Sequence, residues 1–301
     1  MKEFFLYKAY GLLFSSEIPL PELQISEGHP DVSIQLGTVP EMVSDSSTVE
    51  NQASRQEFLL HVNNVAFYYI TNGNKIIIEP KGDYDEAGIR LFLLGSAFCA
   101  LLQQRGYLVL HGSAVQIGGR GVLFTGTSGI GKSTLAAAFC EKGYQILTDD
   151  VCAVKIDKTG TPSVIPAFPG VKLWKDTAKW FDIDIRELEP VRRDIEKFRV
   201  GAGKNFLDRI VPLNGIYILN AADIQNIDIK EIKGLHRLEA IIENTYRYHF
   251  LQMQGVKSLH FQQCAAVADK VSVFTVMRPR SGFLLDELVS AIEGNVVYGN
   301  R

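Results

Sequence analysis

Residues 126–133 read Gly126-Thr127-Ser128-Gly129-Ile130-Gly131-Lys132-Ser133 and match the pattern Gly-x-x-x-x-Gly-Lys-Ser/Thr. Glycines at that spacing let successive backbone N–H groups turn inward on a phosphate, while the helix that follows adds the positive end of its dipole. This arrangement needs a strand before the loop and a helix after it. Residues 121–125 form an apolar run, and Thr134 continues into an alanine-rich segment, 132–142, closed by Gly143. The chain is therefore expected to build an α/β core around a nucleoside triphosphate, with Lys132 reaching the outer phosphates and the Ser133 hydroxyl on magnesium. Without a ligand the same residues would make only a glycine-rich strand-to-helix turn.

Two further elements bear on the same place. The apolar segment 144–148 runs into Asp149-Asp150, seventeen residues after Lys132. One carboxylate there would hold magnesium. Neighbours on a regular strand point to opposite faces, so both can serve one site only where the strand ends or bends. The alternative is one ligand and one solvated aspartate. His111 follows a short strand at 107–110, where its ring could reach a carboxylate; it is either catalytic or a satisfied core or loop histidine.

The first hundred residues alternate short apolar segments, 31–36, 57–62, 65–70 and 75–79, with turn signals. Residues 1–14 read as a first strand, and Asn72-Gly73 as a tight hairpin turn. The serine-rich stretch 41–54 reads as an exposed loop. A helix is expected over 85–104, capped by Asp83 or Asp85, apolar on nearly all faces and lying between two layers. Past the loop, 158–162 and 166–170 read as turns, 216–219, 228–231 and 271–277 as strands, and 173–181, 235–251, 258–268 and 283–293 as helices. In 235–251 Leu238, Ile241, Ile242, Tyr246 and Phe250 fall at helical spacing as core positions. These elements divide into a smaller β-rich domain, 1–105, and a catalytic α/β domain, 106–301.

With 46% hydrophobic residues, 22% charged and a formal net charge of −3, the composition is that of a globular protein. It lacks the basic excess of a nucleic-acid binder, so no nucleic-acid partner is expected. The N-terminus lacks the features of a signal peptide. Residues 89–102, interrupted by Arg90, fall short of the roughly 20 apolar residues that span a bilayer. A cytoplasmic protein without a membrane partner is expected. The four cysteines are scattered, form no Cys-x-x-Cys pair and read as core thiols.

On the substrate side, Arg192, Arg193, Lys197 and Arg199 occupy a stretch that reads as a mobile loop. Two of them could grip a transferring phosphoryl group or a peptide carboxylate, or the loop is simply solvated. Arg247, Arg278 and Arg280 stand as similar candidates, and as exposed charges otherwise. Trp174 and Trp180 are assigned to packing, with a peptide groove as the alternative.

Taken together, LHGSAV, GVLFTGTSGIGKSTLA and GYQILTDD resemble the HPr kinase/phosphorylase family, in which His-Gly, a GxSGxGKS loop and an Asp-Asp pair recur in that order. The likeness spans about residues 110–154. It implies a P-loop kinase core of the HPr kinase type that uses ATP, with GTP as an option, and Mg2+. It further implies that Asp149 is the base accepting a hydroxyl proton, assisted by His111, while Asp150 and Ser133 hold the metal and Lys132 neutralises the phosphates. Where the family carries a glycine-rich motif beginning Gly-Arg-Gly, this chain reads RRDIEKFRVGAGKNFLDRIVPL. The likeness therefore does not extend to reverse phosphorolysis or to HPr as acceptor.

The segments YKAYGLLFSSEIPLPEL, ENTYRYHFLQMQG and VMRPRSGFLLDEL resemble the HPr-kinase-like proteins of lasso-peptide gene clusters. For that subgroup the implied reaction is phosphorylation of the C-terminal serine of a precursor peptide. Two rivals remain: a kinase for a small hydroxyl metabolite such as free serine, and a nucleotide-binding regulatory module without transfer. A homo-oligomer is left open.

Overall fold

The computed structural model describes residues 4–40, 51–54, 56–82, 85–192, 195–280, 282 and 284–298. The fold is mixed α/β and divides into two units. The first comprises Met1–Val109, Trp174–Arg199 and Arg247–His260; the second comprises Leu110–Leu173, Val200–Tyr246 and Phe261–Arg301. The first unit thus takes up two returning segments, which a single boundary near residue 105 does not express.

The first unit carries an eight-stranded sheet in the order Gln24–Ile25, Phe5–Ala9, Leu12–Ser16, Val32–Leu36, Lys75–Pro80, Ala66–Thr71, Glu57–Val62, Asn51–Ala53. Instead of one first strand, residues 5–16 form a hairpin through Tyr10 and Gly11, both at positive φ. The Asn72-Gly73 turn joins its two strands as expected. Of the loop expected at 41–54, Asn51–Ala53 pairs with 58–60 as a strand, and 41–50 lies outside the described residues.

The helix expected over 85–104 runs Glu86–Gln104, with Asp85 capping Ala87 N–H at 3.3 Å and a π-turn at Leu93–Ala97. The alternative cap, Asp83, lies outside the described residues. Phe98 in this helix stacks on Phe14 of the sheet with ring centroids 4.8 Å apart, both at 0% exposure. By length and composition this helix is long and apolar enough to cross a membrane, contrary to the sequence estimate, yet 72% of the apolar window is buried inside the fold.

In the second unit, Arg120–Gly126 pairs antiparallel with Leu108–Ile117 on one side and parallel with Val211–Ala222 on the other. From Leu108–Ile117 the order continues through Val151–Ile156 and Pro162–Ile165 back to Val211–Ala222, so five strands close a ring. Ser272–Pro279 and Asp228–Ile232 extend it outward. Residues 121–125 are all buried, which suits an apolar strand covered on both faces.

The strand through His111 continues to Ile117, farther than its apolar start at 107–110 suggests. Gly112 makes this possible: a Cβ there would stand 2.4 Å from the Phe124 carbonyl oxygen, so only glycine lets the two strands meet. The single helix expected over 235–251 is broken into Leu235–Glu243 and Tyr248–Met253. Asn244 and Thr245 leave the helix to bond the strand at His111 and Leu110, and Arg247 takes a left-handed φ of 51°. Of the core positions expected there, Ile241 and Phe250 are buried, and Leu238, Ile242 and Tyr246 half-buried.

Three further expectations change. Residues 171–174 are a strand, Val171–Trp174, and the helix is shortened to Lys175–Trp180. Trp174 and Trp180 are about half exposed, at 51% and 46%, so neither is a packed core residue. The basic stretch is strand at Pro190–Arg192 and Ile195–Val200 rather than loop. Cys99, Cys152 and Cys264 are buried and Cys140 is half-buried; burial pushes the Cys140 thiol up to about 11 and those of Cys152 and Cys264 up to about 12.

Candidate active site

Strand direction explains why these residues meet. Gln145–Thr148 runs antiparallel to Leu108–Ile117, which runs antiparallel to Arg120–Gly126. The first and third therefore point the same way, and their C-terminal ends deliver Asp149-Asp150 and the phosphate loop to one edge. His111, near the start of the middle strand, lies on that same edge. The crevice outside the carboxyl ends of strands is where α/β sheets bind ligands.

The loop has the conformation its glycines allow. Gly126, Gly129 and Gly131 have φ of 130°, 82° and 109°. At Gly126 a Cβ would also collide with the Leu219 carbonyl oxygen at 2.6 Å. Thr127, Ser128 and Gly129 form an exposed tip; Ile130, Gly131, Ser133 and Thr134 are half-buried. Lys132 opens the helix Lys132–Glu141 at 7% exposure, its Nζ donating to the Gly126 and Thr127 carbonyls at 2.9 and 3.0 Å. Arg278, at the end of Ser272–Pro279, donates to the Ile130 carbonyl at 3.1 Å and so grips the loop.

The two aspartates have different company. Asp149 is buried; its Oδ1 accepts from Ser113 Oγ at 2.6 Å and Ser133 Oγ at 2.7 Å, and its Oδ2 from the Lys172 main-chain N–H at 2.8 Å. Asp150, with its side chain about a quarter exposed, pairs with Lys172 Nζ at 2.7 Å and stands 3.4 Å from His111 Nδ1. Ser133, which the family resemblance joins with Asp150 as a metal ligand, donates here to Asp149. The strand ends at Thr148 and Asp150 adopts a left-handed φ of 76°, which sends the two carboxylates to different partners.

His111 Nδ1 lies 3.1 Å from the Asp150 carbonyl oxygen, which can only accept, so Nδ1 carries the proton and Nε2 is the free acceptor of the neutral ring. Burial holds the imidazole below the usual histidine range; Lys132 acts in the same direction, and Asp150 opposes both. His111 and Tyr246 rings lie 5.2 Å apart. Behind the ring, Thr125 Oγ1 contacts the His111 carbonyl at 2.7 Å and Asn244 Oδ1 at 2.9 Å.

These donors fit a nucleotide with magnesium. A carboxylate and a hydroxyl sharing one oxygen contact are hard oxygen ligands, and magnesium takes one or two such groups together with phosphate oxygens and water. Among the described residues no group of three or more His, Cys, Asp or Glu forms a protein-only metal cage.

Most other sequence candidates belong to the first unit or lie outside the described residues. Lys197 lies in the first unit, its Nζ 5.7 Å from the centroid of the Trp174 ring, and Arg247 is an exposed residue of that unit. Arg193 lies outside the described residues. Sequence reasoning missed Ser113, Thr125 and Lys172. Only Lys172 left a signal, a lone charge inside the apolar run Val171-Lys172-Leu173.

Comparison with known proteins bears on the same region. The family model of the HPr Serine kinase C-terminal domain matches residues 104–168. The HPr kinase/phosphorylase of Geobacter sulfurreducens is 31% identical over 276 residues, covering 82% of this chain and 83% of the relative. That of Chlorobaculum tepidum is 25% identical over 137 residues, 46% of this chain and 29% of the relative; that of Chloroherpeton thalassium is 33% identical over 100 residues, 28% of each. Against these last two the chain spans less than a third of the relative's length. Among solved structures, the Hpr(Ser) kinase/phosphatase from Coxiella burnetii aligns with a TM-score of 0.35 at 15% identity, over 64% of this chain and 95% of that chain, too loose a match to carry structural detail across. With the Geobacter relative matched over most of both lengths, the chain belongs to the HPr kinase/phosphorylase family.

Proposed function

We propose that the protein is an ATP-dependent kinase that moves the terminal phosphoryl group to a hydroxyl, in the setting of the cytoplasm. The observation that carries this reading is the division of labour between the aspartates: one bonded to the loop serine, the other beside His111. Binding alone would need the loop and one carboxylate. A second acid next to a neutral histidine is the equipment of proton transfer.

The geometry supports Asp149 as the metal-side carboxylate and Asp150 as the proton acceptor, exchanging the roles that the family resemblance implies. Magnesium, when bound, would neutralise the phosphate charge. Lys132 is positioned to leave the loop carbonyls for the outer phosphates, and Arg278 holds the loop in shape. Asp150 takes the proton of the acceptor hydroxyl as its oxygen bonds the terminal phosphorus. The bond from that phosphorus to the bridging oxygen breaks, and the nucleoside diphosphate leaves. Catalysis then rests on positioning and charge more than on covalent chemistry.

For the acceptor we favour a serine at or near the C-terminus of a precursor peptide, on the likeness of three segments of this chain to lasso-peptide kinases. A peptide supplies remote contacts whose binding energy can align the hydroxyl, an advantage free serine lacks. The test is mass spectrometry of reactions containing Mg·ATP with such a peptide, its Ser-to-Ala variant, or free serine, using wild type and Lys132→Ala. One phosphoryl group gained on the peptide serine, absent from the Ala peptide and from Lys132→Ala, is the expected result. Phosphoserine formed from free serine with none on the peptide would overturn the peptide acceptor and leave the kinase. Nucleotide binding with no transfer to either would favour the regulatory module.

A further inference from the structure

We infer that Lys172 is the positioning residue for Asp150, the internal counter-charge that allows two adjacent carboxylates to share one site with a triphosphate. This rests on the phosphotransfer reading above and adds a residue and a role that the phosphate-loop motif does not contain.

Lysine is almost never fully buried unless it is paired. Lys172 sits between Val171 and Leu173, at 5% and 1% exposure, and its own side chain is 8% exposed. A charge removed from water to that extent needs a partner whose attraction offsets the lost hydration. It has one in Asp150 Oδ2 at 2.7 Å. Its main-chain N–H simultaneously holds Asp149 Oδ2 at 2.8 Å. One residue thus touches both acids through different groups, and the short strand Val171–Trp174 fixes the two contacts relative to each other.

Among the described residues, this edge carries Asp149 and Asp150 with Lys132 and Lys172, and Arg278 on the phosphate loop. Lys132 rests on the phosphate loop, bonded to Gly126 and Thr127, where incoming phosphates would engage it. Asp149 is engaged by two hydroxyls and the Lys172 amide. When a triphosphate brings further negative charge, Asp150 is the acid that must be neutralised from within, and the Lys172 ammonium is the group set against it. The same contact ties down a side chain whose backbone is held at φ 76°, a conformation non-glycine residues seldom adopt. Lys172 therefore has two effects, both exerted through Asp150: it lowers repulsion toward the nucleotide and fixes the direction of the base.

The test is a double-mutant cycle on the full chain, read by calorimetric titration with Mg·ATP and by melting without nucleotide. Lys172→Met takes the lysine counter-charge away from Asp150 and should weaken Mg·ATP binding by roughly 10- to 100-fold. Asp150→Asn in the same chain removes that negative charge, so the double variant should bind Mg·ATP within about threefold of wild type while turning over no faster than Asp150→Asn alone. Lys172→Arg keeps the charge and should retain binding and recover part of kcat with little change in KM for ATP. A purely structural lysine would show no rescue of binding by Asp150→Asn. A double variant as weak as Lys172→Met, or a Lys172→Met protein that binds and turns over like wild type, would overturn the assignment. If Lys172→Met does not fold, the double variant and Lys172→Arg still decide it, since neither leaves a buried charge unpaired. Failure of wild type itself to bind Mg·ATP would sink the phosphate-loop reading and this one with it; wild-type binding without rescue sinks only the role of Lys172.

Discussion

In the first unit the long helix sets Phe98 against Phe14 in a contact closed to water, and the most enclosed ion pair described there joins Arg90 to Glu22 at 3.0 Å. In the second unit, Lys132, Asp149 and Lys172 are buried together at the end of one sheet. Apolar burial stabilises a fold directly, whereas burying ions barely breaks even against lost hydration. Charges kept in such a place are better understood as held ready for a ligand. The first unit is then expected to respond to substitution in its stability, and the second in its chemistry.

The largest expected effect tests the stability half of that contrast. Phe98→Ala should cost about 3–5 kcal/mol in denaturant unfolding, because a ring packed on all sides leaves a cavity the helix cannot close. Affinity for Mg·ATP, measured on the folded fraction, should stay unchanged. A loss below about 1 kcal/mol would show that the helix repacks easily and would weaken the contrast.

Next come the two acids, where rate and metal binding are the main readouts, although Asp150→Asn also removes the carboxylate partner of the Lys172 ammonium and should lower the melting temperature. Asp150→Asn should lower kcat by roughly 10²–10³-fold with Mg·ATP affinity kept, because the amide retains size and loses the ability to take a proton. Asp149→Asn should instead weaken the magnesium-dependent part of nucleotide binding. Binding experiments with and without magnesium separate the two, and the opposite pattern would restore Asp149 as base and Asp150 as metal ligand.

The smallest effect concerns pH. Burial pushes the His260 imidazole down to about 4. Above about pH 6.5 the ring is neutral in both folded and unfolded chains and contributes nothing to pH dependence. As pH falls from there toward 4, the unfolded chain binds a proton that the fold refuses, so stability drops. After allowance for solvent near the ring the loss should be on the order of 1–2 kcal/mol. His260→Leu should flatten that part of the stability profile; an unchanged slope would assign it to other groups.

Much of this was readable from local pattern. The phosphate loop, its strand and helix, the Asn72-Gly73 turn and the buried helix are each specified by neighbours within a few residues, and each forms as expected. The site was legible only in part. Ser113 and Lys172 meet Asp149 across 36 and 23 residues of chain, and nothing in their own surroundings says that they do. The helix break at 244–247 is likewise non-local: helical periodicity continues to Phe250, but hydrogen bonds to the strand at Leu110 and His111 win over the helical ones. The size of Trp174 and Trp180 suggests burial, while their exposure depends on what covers the ring.

That helix break also links motions. The His111 amide bonds to the Asn244 carbonyl at 2.9 Å, and Thr125 clasps Asn244 from the neighbouring strand, so the ring beside Asp150 is tethered to the end of Leu235–Glu243. Opening of that short helix is then expected to free the amide before the strand itself parts. Deuterium uptake at His111 would therefore act as a clock for the helix, timing from within the site how often its back wall comes loose.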